Sequence, residues 1–280
     1  MKKILLILAI TFLFTILIGC TKNDHEDTLN NSGHTSEGNE NSEEIQSDHD
    51  DEEATPLDED NLIDENDTPE ENENDIAELI DITNDDSVTV LVNKQHSLSE
   101  NYEPTDLVTV EVPTILENPE VNQLRKVAAD ALKEMFEQAK KDGIYLYARS
   151  GYRSYHTQVY LFDSYAKRNG EEAANKYSAK PGYSEHQTGL TMDVTSESVN
   201  FQLIEAFGET KEGKWIAEHA HEYGFILRYP KDKEHITGYI YEPWHLRYLG
   251  VELATDIKET GLTYEEYLVE KGIIHEVNSQ

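Results

Sequence analysis

The chain has 280 residues and a formal charge of −34, enough length for one or two domains and no net basic character to suggest a nucleic-acid partner. The charge is uneven: residues 21–87 hold 26 Asp and Glu against one Lys, whereas residues 88–280 hold 31 acidic and 20 basic residues. Cys20 is the only cysteine, which excludes an intramolecular disulfide and a cysteine-built metal cluster.

Met1-Lys2-Lys3 precedes an apolar run, Ile4 to Ile18, broken only by Thr11 and Thr15. That run is shorter than the roughly 20 residues of a membrane span, and a basic head before a short apolar stretch predicts a secretory signal. Leu17-Ile18-Gly19-Cys20 resembles a bacterial lipoprotein box. The resemblance implies a signal segment over residues 1–20 that ends at the box cysteine, lipidation of Cys20 as the new N-terminus, and anchoring on the outer face of the cytoplasmic membrane, within the wall. An uncleaved signal anchor is the plainer alternative, and it too exports the rest of the chain. Residues 21–87 lack Phe, Trp and Tyr. Such a segment cannot bury enough apolar surface to offset its ordering entropy, so a disordered acidic linker is expected. As a coil it would span roughly 45 Å. Its carboxylates form no D-x-D-x-D-G calcium loop, which favours a solvated tether over a calcium site.

Residues 88–280 read as one folded domain. Val88 to Val92 is β-prone, and Leu107 to Pro113 predicts a second short extended run. From Asn118-Pro119 a helical pattern is expected, with Val121, Leu124, Val127, Ala128, Ala131, Leu132, Met135 and Phe136 at three- and four-residue spacing. Lys140-Lys141-Asp142-Gly143 ends it. Ile144 to Ala148 predicts a strand, and Ser154 caps a helix that Asn169-Gly170 closes. A short helix is expected over Glu171 to Tyr177. Leu190 to Thr195 predicts a strand with Met192 and Val194 turned to the core and Asp193 to the other face. A helix over Trp215 to Tyr223, a strand over Phe225 to Tyr229 and an extended Tyr239 to Tyr241 follow. Pro243 holds Glu242 extended and suits the first turn of a helix. Leu253 to Thr260 and Tyr264 to Lys271 are helical in pattern. Helices and strands mix without regular alternation, which points to α+β.

The chemistry-bearing residues lie in two phrases, Ser184-Glu-His-Gln-Thr-Gly-Leu-Thr-Met-Asp193 and Glu242-Pro-Trp-His245. Zinc takes imidazole and carboxylate, and a catalytic zinc keeps three protein ligands and an open position. His186, Asp193 and His245 fit that set. On a helix His186 and Asp193 would be about 10 Å apart along the axis; a loop turning into a strand at Gly189 brings them closer. Glu242 can share one side of a tight turn with His245 and so serve as the base on zinc-activated water. Taken singly, each histidine is better explained as a buried structural residue. His156, His219, His221 and His235 have no partner at ligand spacing.

Together with Ser150-Gly-Tyr-Arg-Ser154, these phrases resemble, in order and spacing, those of the VanY/LdcB family, from about Leu91 to Gly261. These are zinc D-alanyl-D-alanine or L,D-carboxypeptidases of bacterial cell walls. The resemblance implies the hedgehog/DD-peptidase fold, a small antiparallel sheet flanked by helices. It also implies one zinc on His186, Asp193 and His245, with Glu242 as base. Arg153 would bind substrate carbonyl and carboxylate oxygens, and Gln158, Ser184 and Tyr229 would line the pocket. The expected activity is removal of the terminal D-alanine from peptidoglycan stem peptides by a monomer. L,D-carboxypeptidase action on tetrapeptide stems, a non-catalytic wall-binding lipoprotein, and a calcium-sensing adhesin are the alternatives.

Overall fold

The computed structural model describes residues 80–276. The expected signal peptide with Cys20, and linker residues 21–79, lie outside the described residues. Residues 80–87 were expected to belong to the linker. Ile80 and Ile82 instead pack against an apolar cluster that includes Leu91, Leu253, Tyr264 and Tyr267.

The architecture is α+β, with two small antiparallel sheets among helices. Strand β1 (Leu107–Thr109) pairs with β2 (Gln123–Arg125). The larger sheet holds β3 (Tyr147–Ser150), β4 (Thr191–Thr195), β5 (Phe225–Leu227) and β6 (His245–Tyr248), in the order β3-β4-β6-β5. Helix α1 (Lys126–Lys141) turns Ala128, Leu132, Met135, Phe136 and Ala139 into the main core. There they share one cluster with Leu190, Met192, Val194 and Leu246. Because side chains alternate along a strand, Met192 and Leu246 face this core, which leaves Asp193 and His245 on the opposite face of the same sheet.

Helix α2 (Tyr155–Asn169) begins as expected at Ser154, whose side chain accepts from the Thr157 N–H, and ends at Gly170. It is followed by α3 (Glu171–Tyr177), α4 (Lys211–His219), the single turn α5 (Glu234–Thr237), α6 (Val251–Thr260) and α7 (Tyr264–Glu270). Helix α7 opens with a reciprocal cap between Thr263 and Glu266. Among the described residues no helix is long and apolar enough to cross a membrane.

Several expected elements differ. Val88–Val92 forms no strand, although Thr89 to Val92 are buried and Val88 is partly so. Side chains take the place of a ladder partner: Arg247 donates to the Val88 and Val90 carbonyls, and the Tyr264 hydroxyl to that of Thr89. The helix expected from Asn118 starts at Lys126, because Gln123–Arg125 pairs with β1 and Leu124 enters the core from a strand. Val127 is exposed rather than core. The extended run after Leu107 is regular only to Thr109, and β3 begins at Tyr147, three residues later than expected from Ile144. The helix expected over Trp215–Tyr223 starts at Lys211 and ends as a tighter turn over Ala220–Tyr223. Strand β5 stops at Leu227, Tyr239–Tyr241 is irregular, and no helix follows Pro243. A turn there delivers His245 directly into β6, where pairing with β4 outweighs the helical bias of the proline.

Leu132 is fully buried on α1. Leu132→Ala is expected to lower the free energy of unfolding by about 2–5 kcal/mol, since it removes apolar contacts and leaves a cavity. A denaturant titration measures this, and an unaltered midpoint would contradict the placement of α1 in the core.

Candidate active site

Strand register brings the first two groups together. In the β4–β6 pairing Asp193 lies opposite His245, and on its other side Asp193 lies opposite Ser150 of β3. His186 arrives from a 3-10 turn, Glu185–Thr188, which Gly189 ends with φ of 67°. A Cβ at Gly189 would be strained at that angle and would meet Leu107 Cδ2 at 2.9 Å, so the turn into β4 requires glycine.

The result is a compact cluster. His186 Nε2 lies 3.5 Å from Asp193 Oδ2, and His245 Nδ1 lies 3.3 Å from Asp193 Oδ1. One ligand atom from each of the three residues falls within 4.8 Å of the others. Donor atoms arranged tetrahedrally at about 2.0–2.2 Å from zinc are themselves roughly 3.4 Å apart. The spacing therefore fits a single ion.

Hydrogen bonds on the far side of each ring set which nitrogen faces the cluster. His186 Nδ1 donates to the Gly151 carbonyl at 2.8 Å, which leaves Nε2 bare. His245 Nε2 donates to Glu185 Oε2 at 3.2 Å, which turns Nδ1 toward Asp193. Asp193 Oδ1 is buried with no hydrogen-bond partner of good geometry. A carboxylate oxygen and an imidazole nitrogen facing each other in a dry site need positive charge between them, from a proton or from a metal ion. Burial resists charging His245, yet Asp193 and Glu185 push its pKa up to about 9. Burial and the Arg153 charge take His186 down to about 3, so that ring is neutral and suited to bind metal. Burial opposes ionisation of Asp193 as well, but the two imidazoles hold its carboxyl below the ordinary range.

Glu242 sits on the turn before β6, closed by the His245 N–H donating to the Glu242 carbonyl at 3.1 Å. Its Oε2 is 3.5 Å from His245 Nδ1. Burial raises its pKa to about 7 against the opposing pull of His245. A carboxyl tuned to neutrality beside a candidate metal-ligand set can both accept and return a proton.

These groups line a cleft of about 330 Å³ with Arg153, Ser184, Glu185, Tyr229, Tyr239 and Trp244. Arg153 is the one arginine or lysine on its wall among the described residues. Its guanidinium is held by Ser150 Oγ at 3.0 Å and Gln158 Oε1 at 2.8 Å. Ser184 and Tyr229 reach the cleft, and the Tyr229 ring lies 4.7 Å from that of His245. Gln158 does not line it. That side chain is buried behind Arg153, where its amide donates to the Ala179 carbonyl at 2.6 Å. Cys20 lies outside the described residues.

Sequence reasoning missed three residues against the site: Glu185, Arg228 and Arg247, all buried. Glu185 stood inside the ligand phrase and passed as a spacer. The signal for the arginines was their setting: each follows strand residues without a break, in Phe225-Ile-Leu-Arg228 and His245-Leu-Arg247.

A three-ligand cluster on a cleft wall, with a carboxyl and an arginine beside it, defines a candidate metallohydrolase site. The family model for VanY, D-alanyl-D-alanine carboxypeptidase, matches residues 121–251. Bacillus subtilis (strain 168) YodJ, whose carboxypeptidase name is provisional, is 53% identical over 66% of this chain and 68% of its own length. The solved LdcB LD-carboxypeptidase superposes with a TM-score of 0.65 at 53% identity, covering 67% of this chain and 88% of that one. A Zn(II)-bound variant of the VanY D,D-pentapeptidase from the VanB-type vancomycin resistance cassette gives a TM-score of 0.52 at 34% identity, over 64% and 97%. The chain belongs to the VanY carboxypeptidase family.

Proposed function

We propose that this protein is a zinc carboxypeptidase that removes the C-terminal D-alanine from peptidoglycan stem peptides. The observation that carries the reading is the Glu242 carboxyl, 3.5 Å from His245 Nδ1 and beside the cluster of His186, Asp193 and His245. Zinc held by those three residues would supply Lewis-acid polarisation of the scissile carbonyl and acidify water. Glu242 takes the proton of the attacking water as the new C–O bond forms, then returns it to the amine nitrogen as the C–N bond breaks. Arg153, fixed by Ser150 and Gln158, offers its fork of N–H donors to the carbonyl and terminal carboxylate oxygens of the peptide. Ser184, Tyr229 and Trp244 bound the space that the terminal residue fills.

The cut falls before a terminal D-alanine in both D,D- and L,D-carboxypeptidase action, and the residue on the other side differs. The D,D-cut is what the family model's name describes. The L,D-cut on tetrapeptide stems has the stronger specific support, 53% identity to LdcB against 34% to the D,D-pentapeptidase. Incubation of the zinc-loaded full chain with tetra- and pentapeptide stems, followed by mass measurement, tests both. Tetrapeptide is expected to lose D-alanine faster. Preference for pentapeptide would restore the D,D-reading, and binding without any product would favour a wall receptor. Export and lipidation at Cys20, proposed from residues 1–20 alone, would place the reaction outside the cytoplasmic membrane.

A further inference from the structure

We infer that Glu185 is a positioning residue that fixes which nitrogen of His245 meets the metal, and that Arg228 and Arg247 hold it in place. The inference rests on the metal-site reading above, and nothing in the proposed mechanism assigns these three residues a part.

Glu185 is the neighbour of ligand His186, yet its side chain serves the other histidine. Its Oε2 accepts from His245 Nε2 at 3.2 Å. Its Oε1 accepts from Arg228 Nε at 2.8 Å and from Arg247 Nη1 at 3.0 Å. Both guanidiniums are anchored elsewhere. Arg228 Nη1 donates to Glu265 Oε2 at 2.8 Å, and Arg247 Nη2 donates to the Val88 and Val90 carbonyls at 2.9 and 2.8 Å. The Asn93 amide closes the far end on Glu265 Oε1 at 3.2 Å. Glu185, Arg228, Arg247 and Glu265 are each at most 3% exposed.

A network this dry costs about as much in lost hydration as it gains in attraction, so stability alone does not account for it. Its end point does. An ionised carboxylate only accepts hydrogen bonds, so the oxygen facing His245 requires a proton on Nε2. With Nε2 protonated, the lone pair available to a cation is on Nδ1, the atom turned to Asp193. Arg228 and Arg247 set two guanidinium charges against Oε1 of the Glu185 carboxyl, at 2.8 and 3.0 Å. Both N–H donors converge on Oε1, which leaves Oε2 turned to His245.

Glu185→Gln tests this in the full chain. The amide keeps the shape but has one accepting and one donating end. The guanidiniums claim the oxygen, so the NH2 group faces His245 Nε2 and asks it to accept. The proton then belongs on Nδ1, where it blocks the metal. Zinc affinity, measured by competition with a chromophoric chelator, is expected to fall about 10–100-fold, with an altered cobalt(II) absorption spectrum. Leu132→Ala, remote on α1, is the control for plain destabilisation: a lower thermal midpoint with unaltered zinc affinity. Unaltered affinity and spectrum in Glu185→Gln, or an equal loss of affinity in both variants, overturns the inference. If Glu185→Gln does not fold, nitrogen NMR of the zinc-loaded unaltered chain decides: zinc on Nδ1 of His245 with Nε2–H retained supports it, and zinc on Nε2 overturns it. None of these readouts depends on turnover. A chain that shows them without releasing D-alanine sinks the enzyme proposal alone, and a chain that binds no zinc sinks both.

Discussion

Glu242→Ala is expected to keep its zinc and lose D-alanine release. Glu242 lies beside the cluster of His186, Asp193 and His245 without belonging to it, so removing its carboxyl leaves all three donor atoms in place. What disappears is the group that accepts the water proton and returns it to the leaving amine, a contribution of about 10²–10⁴-fold in rate. Shortening a buried carboxyl whose ionisation burial already resists also removes an unfavourable charge from the interior, so folding is not expected to suffer. Metal analysis together with a D-alanine release assay measures both halves. Full metal content with an unchanged rate would take Glu242 out of the mechanism.

His186→Ala is expected to behave differently, with metal and activity falling together. Losing a direct donor is expected to cost more than the about 10–100-fold that losing an outer hydrogen-bond partner costs. It also leaves the Gly151 carbonyl without its 2.8 Å donor. Dialysed variant protein should carry little zinc and release little D-alanine. The contrast between the two substitutions separates a ligand from a base. A His186→Ala protein that retained stoichiometric zinc would contradict its assignment as a donor.

How much of this was legible in the sequence depended on how local the cause was. The turn at Gly189 was legible because one backbone angle demands glycine, and that turn is what brings His186 near Asp193. The Ser154 cap and the Gly170 stop were legible for the same reason: each is settled within one helical turn. The three- and four-residue spacing of Val121 and Leu124 looked helical, but pairing of Gln123–Arg125 with β1 decided otherwise. Val88–Val92 has the composition of a strand and is largely buried, yet the carbonyls of Val88, Thr89 and Val90 are taken by Arg247 and Tyr264 from the far end of the chain. No local pattern announces such a partner. Pro243 carried a misleading message about the residues after it, because β4 captures His245 as soon as the turn ends. Glu185 was hidden by its position beside His186. Its role depends on Arg228, Arg247 and His245, all distant in sequence and gathered only by the sheet and the turn that faces it.

The account depends on one cation sitting among three side chains from two separate stretches of sequence. Anomalous diffraction from crystals of the zinc-loaded protein, collected across the zinc edge, tests that most directly. A single peak at about 2.0–2.2 Å from His186 Nε2, an Asp193 carboxylate oxygen and His245 Nδ1 is the expected result. No peak in the cleft, or a peak held by other residues, would contradict it.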